Sequence, residues 1–374
     1  MKKIFLIAAM AGTVLASCKK HKENDPGDGS AGNPFKVATL ADLQKVGKET
    51  TADGWTLAKH YKQTADFTLS GNWTPIGSEA SPFTGSYNGG GRTIKNLNVT
   101  GDINHAGFFG FVKGGTVSNL RLTGVNITAT GSCNGGVAGE LTDGGTIDYC
   151  YVNVTAITGA RQGGGVVAVT HNASKVSYCM VTGETVSGTG FGVGGIAGCS
   201  FDDGTVEHCY ATVNVSGDGS VGGVAGQNYG TLRYCYATGN ITAFYGEIGG
   251  ITGRSYSGKT RNCVALNKEV KSTNATTAIG RVAPNDGIEL TANYAREDMI
   301  LKANGSDVTV NTSTGATTTG IHGASAEAAN YKGPDSGTWW HTTAGFSNTI
   351  WSLAANRLPH LSEFPGLMQN PVVN

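Results

Sequence analysis

The chain has 374 residues, with 27 Lys plus Arg against 27 Asp plus Glu and only 14% charged positions, so nothing in its charge points to nucleic acid as a partner. Glycine fills 58 positions, about twice the usual ~7%. So many corners and so few charges suit a long stack of short strands and weigh against a helical protein.

The opening "MKKIFLIAAMAGTVLASCKK" has Lys2 and Lys3, an apolar run too short for a mature membrane anchor, then small residues; residues 1–17 are expected to be a secretory signal. The "LASC" ending resembles the bacterial lipobox, which implies cleavage before Cys18 and a lipid on that cysteine. Residues 18–34 have no apolar periodicity and read as a tether, with Lys19, Lys20 and Lys22 placed to touch headgroups. The expected address is the cell envelope, as an outer-membrane lipoprotein facing outward, with the periplasmic face left open.

Residues 35–100 read as an N-terminal cap and first coils. In "TLADLQKVGKET", Thr39 and Asp42 approximate a capping box while Leu40, Leu43 and Val46 share one face, predicting a short helix over the open first coil. From 101 to 285 the chain repeats. Cys150, Cys179, Cys209, Cys235 and Cys263 are 29, 30, 26 and 28 apart, and Gly136, Gly165, Gly195, Gly223 and Gly250 keep the step at 29, 30, 28 and 27. Two columns in phase at such a period mark a solenoid whose units bury their apolar faces against each other. Units of about 28 residues, built of short alternating β-branched runs broken by glycine, fit coils of an all-β, right-handed parallel β-helix better than propeller blades of about 40–50 residues.

Alternation puts the cysteine column inside the coil, as reduced packing residues; the spacing matches no compact zinc motif, and no metal is expected. Cys133 and Cys199 stand off the column, next to glycine corners, and the sequence assigns neither a partner nor a redox state. The residues before the column, Asn119, Tyr149, Tyr178, His208, Tyr234 and Asn262, form a corner stack. Those after it include Tyr151, Tyr210 and Tyr236, which alternation puts outside: an exposed stripe for stacking sugars or a partner's apolar groups, or simple pairing across coils. The coil at 164–183 has "VVAVTHN" where the others keep a glycine, which suggests a deformed corner.

Residues 286–374 lose the glycine period and carry Trp339, Trp340 and Trp351, read as terminal coil plus cap with a ligand site as the alternative. Asp202 and Asp203 read as a turn, with a corner calcium conceivable. "GDGSVG" at 217–222 satisfies G-x-G-x-x-G, but no helix pattern follows, so no dinucleotide cofactor is expected. Asp148 and Glu207, two coils apart, are the best carboxylate pair for glycoside chemistry, but Arg233 one coil beyond Glu207 makes an ion pair the simpler reading.

"GGVAGQNYGTLRYCYATGNI" at 222–241 resembles the GLUG-motif repeat, and the match recurs at 135–155, 164–183, 194–215 and 249–266. The segments at 73–99 and 346–361 resemble those flanking such repeats in lipoproteins of Bacteroides-like bacteria. The resemblance implies a β-helix at the cell envelope, adhesin-like, and transfers no catalytic residue. The reading that follows is a lipid-anchored, non-enzymatic binder of glycans or of a host or neighbour-cell surface protein, against a polysaccharide lyase or glycosidase, or a purely structural envelope module.

Overall fold

The computed structural model describes residues 25–48, 54–274, 276–285, 289–310 and 316–364. Cys18, Lys19, Lys20 and Lys22 lie outside the described residues. The architecture is the right-handed parallel β-helix expected from the repeat.

One face is a ten-stranded sheet that begins at Phe35–Val37, continues through strands such as Thr146–Asp148, Thr205–Glu207 and Thr231–Arg233, and ends at Glu289–Thr291. Its pairings are parallel and in register, so Tyr61, Tyr87, Val117, Ile147, Val176, Val206, Leu232, Thr260 and Leu290 form one inward column. A second, 21-stranded sheet carries the longer strands Arg121–Ala129, Tyr151–Ala160, Met180–Gly194 and Asn214–Gly222. Inward Leu122, Val152, Val181 and Ala211 sit one above another. Period-two alternation gives each coil a branched apolar face, and burial of each Val or Ile contributes about 1.5–3 kcal/mol. The third face has six strands: Phe109–Lys113, Ala138–Thr142, Val167–Thr170, Ala197–Ser200, Ala225–Asn228 and Thr252–Arg254.

The two columns seen in the sequence make the corners. A Cβ placed on Gly136, Gly165, Gly195 or Gly223 would lie 2.2–2.3 Å from the carbonyl oxygen of the equivalent residue one coil on, so nothing larger fits between the coils here. The coil at 164–183 is not deformed: Val167–Thr170 pairs in register on both sides, and Ala168 takes the place of Gly139 and Gly198 because one buried methyl is accommodated. At the other corner Asn119, Tyr149, Tyr178, His208, Tyr234 and Asn262 all have left-handed backbones, φ 50–54°. Each such residue costs about 1–2 kcal/mol. Stacking offsets this, with Tyr149, Tyr178, His208 and Tyr234 forming a ladder at 4.6, 5.2 and 4.9 Å and planes within 9°. The cysteines that follow are free and buried, and each thiol donates to the carbonyl two residues back at 3.1–3.4 Å.

The helix α1 (Leu40–Lys45) has the full capping box between Thr39 and Asp42, and Leu43 and Val46 close the first end of the core. The opposite end is closed by the Arg281 guanidinium, which is buried and donates to the carbonyls of His322, Arg296 and Gly323. The C-terminal segment does something the sequence did not suggest. Helix α2 (Ala328–Lys332), the helical turns at 336–343 and the antiparallel pair Trp351–Ser352 with His360–Leu361 lie along the side of the solenoid rather than over its last coil.

Candidate functional site

The tyrosine stripe is covered. Tyr151, Tyr210 and Tyr236 do point out of the coil, but with Met180, Val264 and Leu266 they form one buried cluster with Tyr331, Trp340, Phe346 and Trp351 of the C-terminal segment. Tyr210 and Tyr236 stack at 4.8 Å, and the Tyr236 hydroxyl donates to the carbonyl of Pro359 at 2.5 Å. Alternation gives a side chain's direction, whereas its environment depends on a segment outside the repeat. Trp340 and Trp351 are accordingly packing residues in this seam.

The carboxylate pair is equally unsuited to catalysis. Glu207 is nearly buried between Lys175 and Arg233, each at 2.5 Å. Burial opposes ionisation of Glu207, but the hydrogen bonds and charges of these two cations outweigh it and lower its pKa. Burial raises the pKa of Asp148, which Ser177 separates from Glu207 in the register. Asp202 and Asp203 are left-handed turn residues. Gly217–Gly222 lies within a strand.

The side chains left over gather around the glycine corner. There the chain runs inward, turns and runs out, and residues seven apart face each other across the turn. In successive coils these are Cys133 with Glu140, Gln162 with Val169, Gly192 with Cys199, Ser220 with Gln227, and Glu247 with Arg254; in the first, His105 meets the Phe111 ring at 5.3 Å. Glu247 and Arg254 form an ion pair at 3.1 Å, and a Cβ on Gly192 would strike the Cys199 sulfur. His105, Cys133 and Glu140 hold their donor atoms within 4.8 Å of one another, the one such cluster among the described residues. The Glu140 carboxylate also accepts bonds from His105 Nε2 at 3.0 Å and His171 Nε2 at 2.7 Å. Burial opposes ionisation of Glu140, but the two histidines outweigh it and hold the carboxyl below its ordinary pKa. Burial and the Glu140 charge push the Cys133 thiol up to about 12, with Arg161 acting the other way.

Both margins of this corner carry aromatic rings. On the outgoing side, register aligns His171, Phe201, Tyr229 and Tyr256; Phe201 stacks on Tyr229 at 5.3 Å and Tyr229 meets Tyr256 at 6.4 Å. The Arg254 guanidinium lies 4.5 Å over the Tyr256 ring and donates to the hydroxyl of Tyr256, which in turn donates to Glu247. On the incoming side Phe191, Phe244 and Tyr245 pack edge to face at 5.8–6.2 Å. Tyr256 and Phe244 are each 51% exposed and Phe191 47%, while Phe201 and Tyr229 are half-buried, so among the described residues the exposed aromatic rings gather here. This surface is hidden in the linear sequence because only a coil-by-coil alignment brings Phe201, Tyr229 and Tyr256 into one row.

The GLUG motif family matches residues 189–216 and 217–242, the two coils that carry Phe191, Phe201 and Tyr229. The chain thus carries two GLUG motifs. Halomucin of Haloquadratum walsbyi is 35% identical over 153 residues, covering 38% of this chain and 2% of halomucin. A protein named as a Gly-rich membrane protein, of Evansella cellulosilytica, is 34% identical over 140 residues, 34% of this chain and 15% of that protein. The chain thus spans a small part of the curated relatives it matches. A solved structure of a candidate immunoglobulin A1 protease from Bacteroides ovatus superposes with a TM-score of 0.61 at 20% identity, covering 90% of this chain and 94% of that one. At that identity the likeness is one of fold.

Proposed function

We propose that this GLUG-repeat chain is a lipid-anchored, outward-facing envelope protein that acts by binding, and that it presents the aromatic edge formed by Phe201, Tyr229 and Tyr256, opposite Phe191, Phe244 and Tyr245, to glycans. The observation that carries the reading is the partly exposed ring ladder with a guanidinium and a carboxylate at its end. Sugar faces pack on aromatic rings while their hydroxyls need fixed polar partners, and Arg254 with Glu247 supplies both donor and acceptor. Envelope association is supported by the Gly-rich membrane protein among the relatives and by the lipobox-like ending at Cys18. Binding is favoured over glycoside chemistry because Lys175 and Arg233 occupy the Glu207 carboxylate and leave it no free proton to deliver.

The test is a glycan array probed with the full chain beside a Tyr229→Ala, Tyr256→Ala variant. Two aromatic contacts at about 0.5–1.5 kcal/mol each predict roughly a five- to hundred-fold loss. An array with no glycan bound, or binding equal in both proteins, removes the aromatic edge as the recognition face. Release of shortened products from a bound polysaccharide would make the protein an enzyme instead.

A further inference from the structure

We infer that His105, Cys133 and Glu140 form a binding site for one divalent transition-metal ion of the zinc class, with His171 as a positioning residue, independent of the glycan reading. Their donor atoms lie within 4.8 Å of one another, close enough to turn onto a common ion with small rotations. The coil stack, not local spacing, assembles them. His105 and Cys133 are register partners in adjacent coils, Glu140 faces Cys133 across the glycine corner, and His171 comes from the coil beyond. Calcium or magnesium would call for oxygen donors alone; one imidazole, one thiolate and one carboxylate suit zinc or its neighbours.

The surroundings are those of a built site. Glu140 is only 16% exposed and carries one histidine on each oxygen. When an ion takes one oxygen, His171 stays on the other at 2.7 Å and fixes the carboxylate, as outer partners of metal ligands do. Binding replaces the thiol proton, which leaves to solvent. His105 also borders a cleft of about 590 Å³ lined by Thr74, Pro75, Glu79 and Asn104, through which solvent reaches the residue. Such an ion would tie the His105 coil to the next one.

Cobalt(II) and then zinc are titrated into the full chain carrying Cys18→Ser, in detergent, so that no lipid or terminal thiol takes part. The expected result is one equivalent of cobalt with a thiolate charge-transfer band and tetrahedral visible bands, displaced by zinc, and a higher melting temperature with zinc. Cys133→Ser abolishes the charge-transfer band, and Cys199→Ser, with circular dichroism unchanged, keeps it. His171→Gln keeps the band but weakens zinc binding roughly ten- to a hundred-fold. Should Cys133→Ser not fold, His105→Gln at the more exposed ligand gives the same reading through loss of the tetrahedral bands. No thiolate band at one equivalent, or a band that survives Cys133→Ser, overturns the site and leaves a histidine–glutamate–histidine hydrogen-bond triad.

Discussion

Replacing Tyr236 tests whether the tyrosine stripe holds the C-terminal segment in place. The ring is fully buried, 4.8 Å from Tyr210, 5.6 Å from Trp340 and 5.8 Å from Trp351, and its hydroxyl bonds to Pro359. Tyr236→Phe removes only that hydrogen bond and strands a buried carbonyl, a loss of about 1–3 kcal/mol. Tyr236→Ala removes the ring from a packed seam, about 3–5 kcal/mol by analogy with buried aromatic deletions. That loss falls on the contact between the segment and the solenoid, because the inward columns of the coil are untouched. Three of the five tryptophans, Trp339, Trp340 and Trp351, lie in the segment. Tyr236→Ala should therefore shift tryptophan emission to the red and speed proteolysis within 328–364 while the far-ultraviolet β signal persists, with Tyr236→Phe intermediate. If Tyr236→Ala instead melts the whole β signal in one step with no earlier change in emission, the segment and the solenoid are a single cooperative unit and the reasoning fails. The Tyr151→Ala, Tyr210→Ala, Tyr236→Ala triple variant should behave in the same way and should keep any glycan bound at Tyr229 and Tyr256.

Gly195→Ala puts a Cβ 2.3 Å from the Gly223 carbonyl and should cost about 1–3 kcal/mol in urea melts, whereas Gly32→Ala, with nothing within 4 Å, should be neutral or slightly stabilising. Acid should loosen the C-terminal half. Burial and then the Arg281 charge lower His322 from 6.5 to about 4, and burial lowers His208, whose Nδ1 accepts from the Trp351 indole. Their folded pKa values lie below the unfolded ones, so their contribution is complete above pH 6.5 and is lost as pH falls toward about 4; melting temperature against pH should show this slope, shallower in His322→Gln. Arg281→Met removes charge-assisted bonds to three carbonyls and should lower the melting temperature by several degrees, the loss appearing first as faster hydrogen exchange in the last coil.

What the sequence could reveal follows from what repeats. The cysteine and glycine columns have one phase, so the coil, its inward face and the left-handed corner residues could be placed before any coordinates. The Thr39–Asp42 box was legible because capping is local. Two things escaped. Residues 328–364 share no phase with the coils, so nothing in the stripe itself could show that this segment covers Tyr210 and Tyr236. The ligand cluster is spread over steps of 28, 7 and 31 residues, which resembles no compact motif but equals about one coil, one corner and one coil. Reading His105 against Cys133 one period on would have found it.

A stacked repeat separates two kinds of position. Where every coil carries the same residue type, as in the cysteine and glycine columns, the neighbours above and below impose the choice, because each coil must fit a 4.8 Å spacing and a Cβ or a charge would break it. Where the type changes from coil to coil, the stack makes no such demand. Across the glycine corner the facing residues run from Cys133 with Glu140 through Gly192 with Cys199 to Glu247 with Arg254, a thiol and a carboxylate at one end and an ion pair at the other. The solenoid gains no common packing from this variety, yet that corner is flanked by the rings the C-terminal segment leaves uncovered. The corner with the least architectural uniformity is thus the one whose margins carry the exposed rings Phe191, Phe244 and Tyr256, and this is why the proposed recognition surface is placed there rather than on the covered tyrosine stripe.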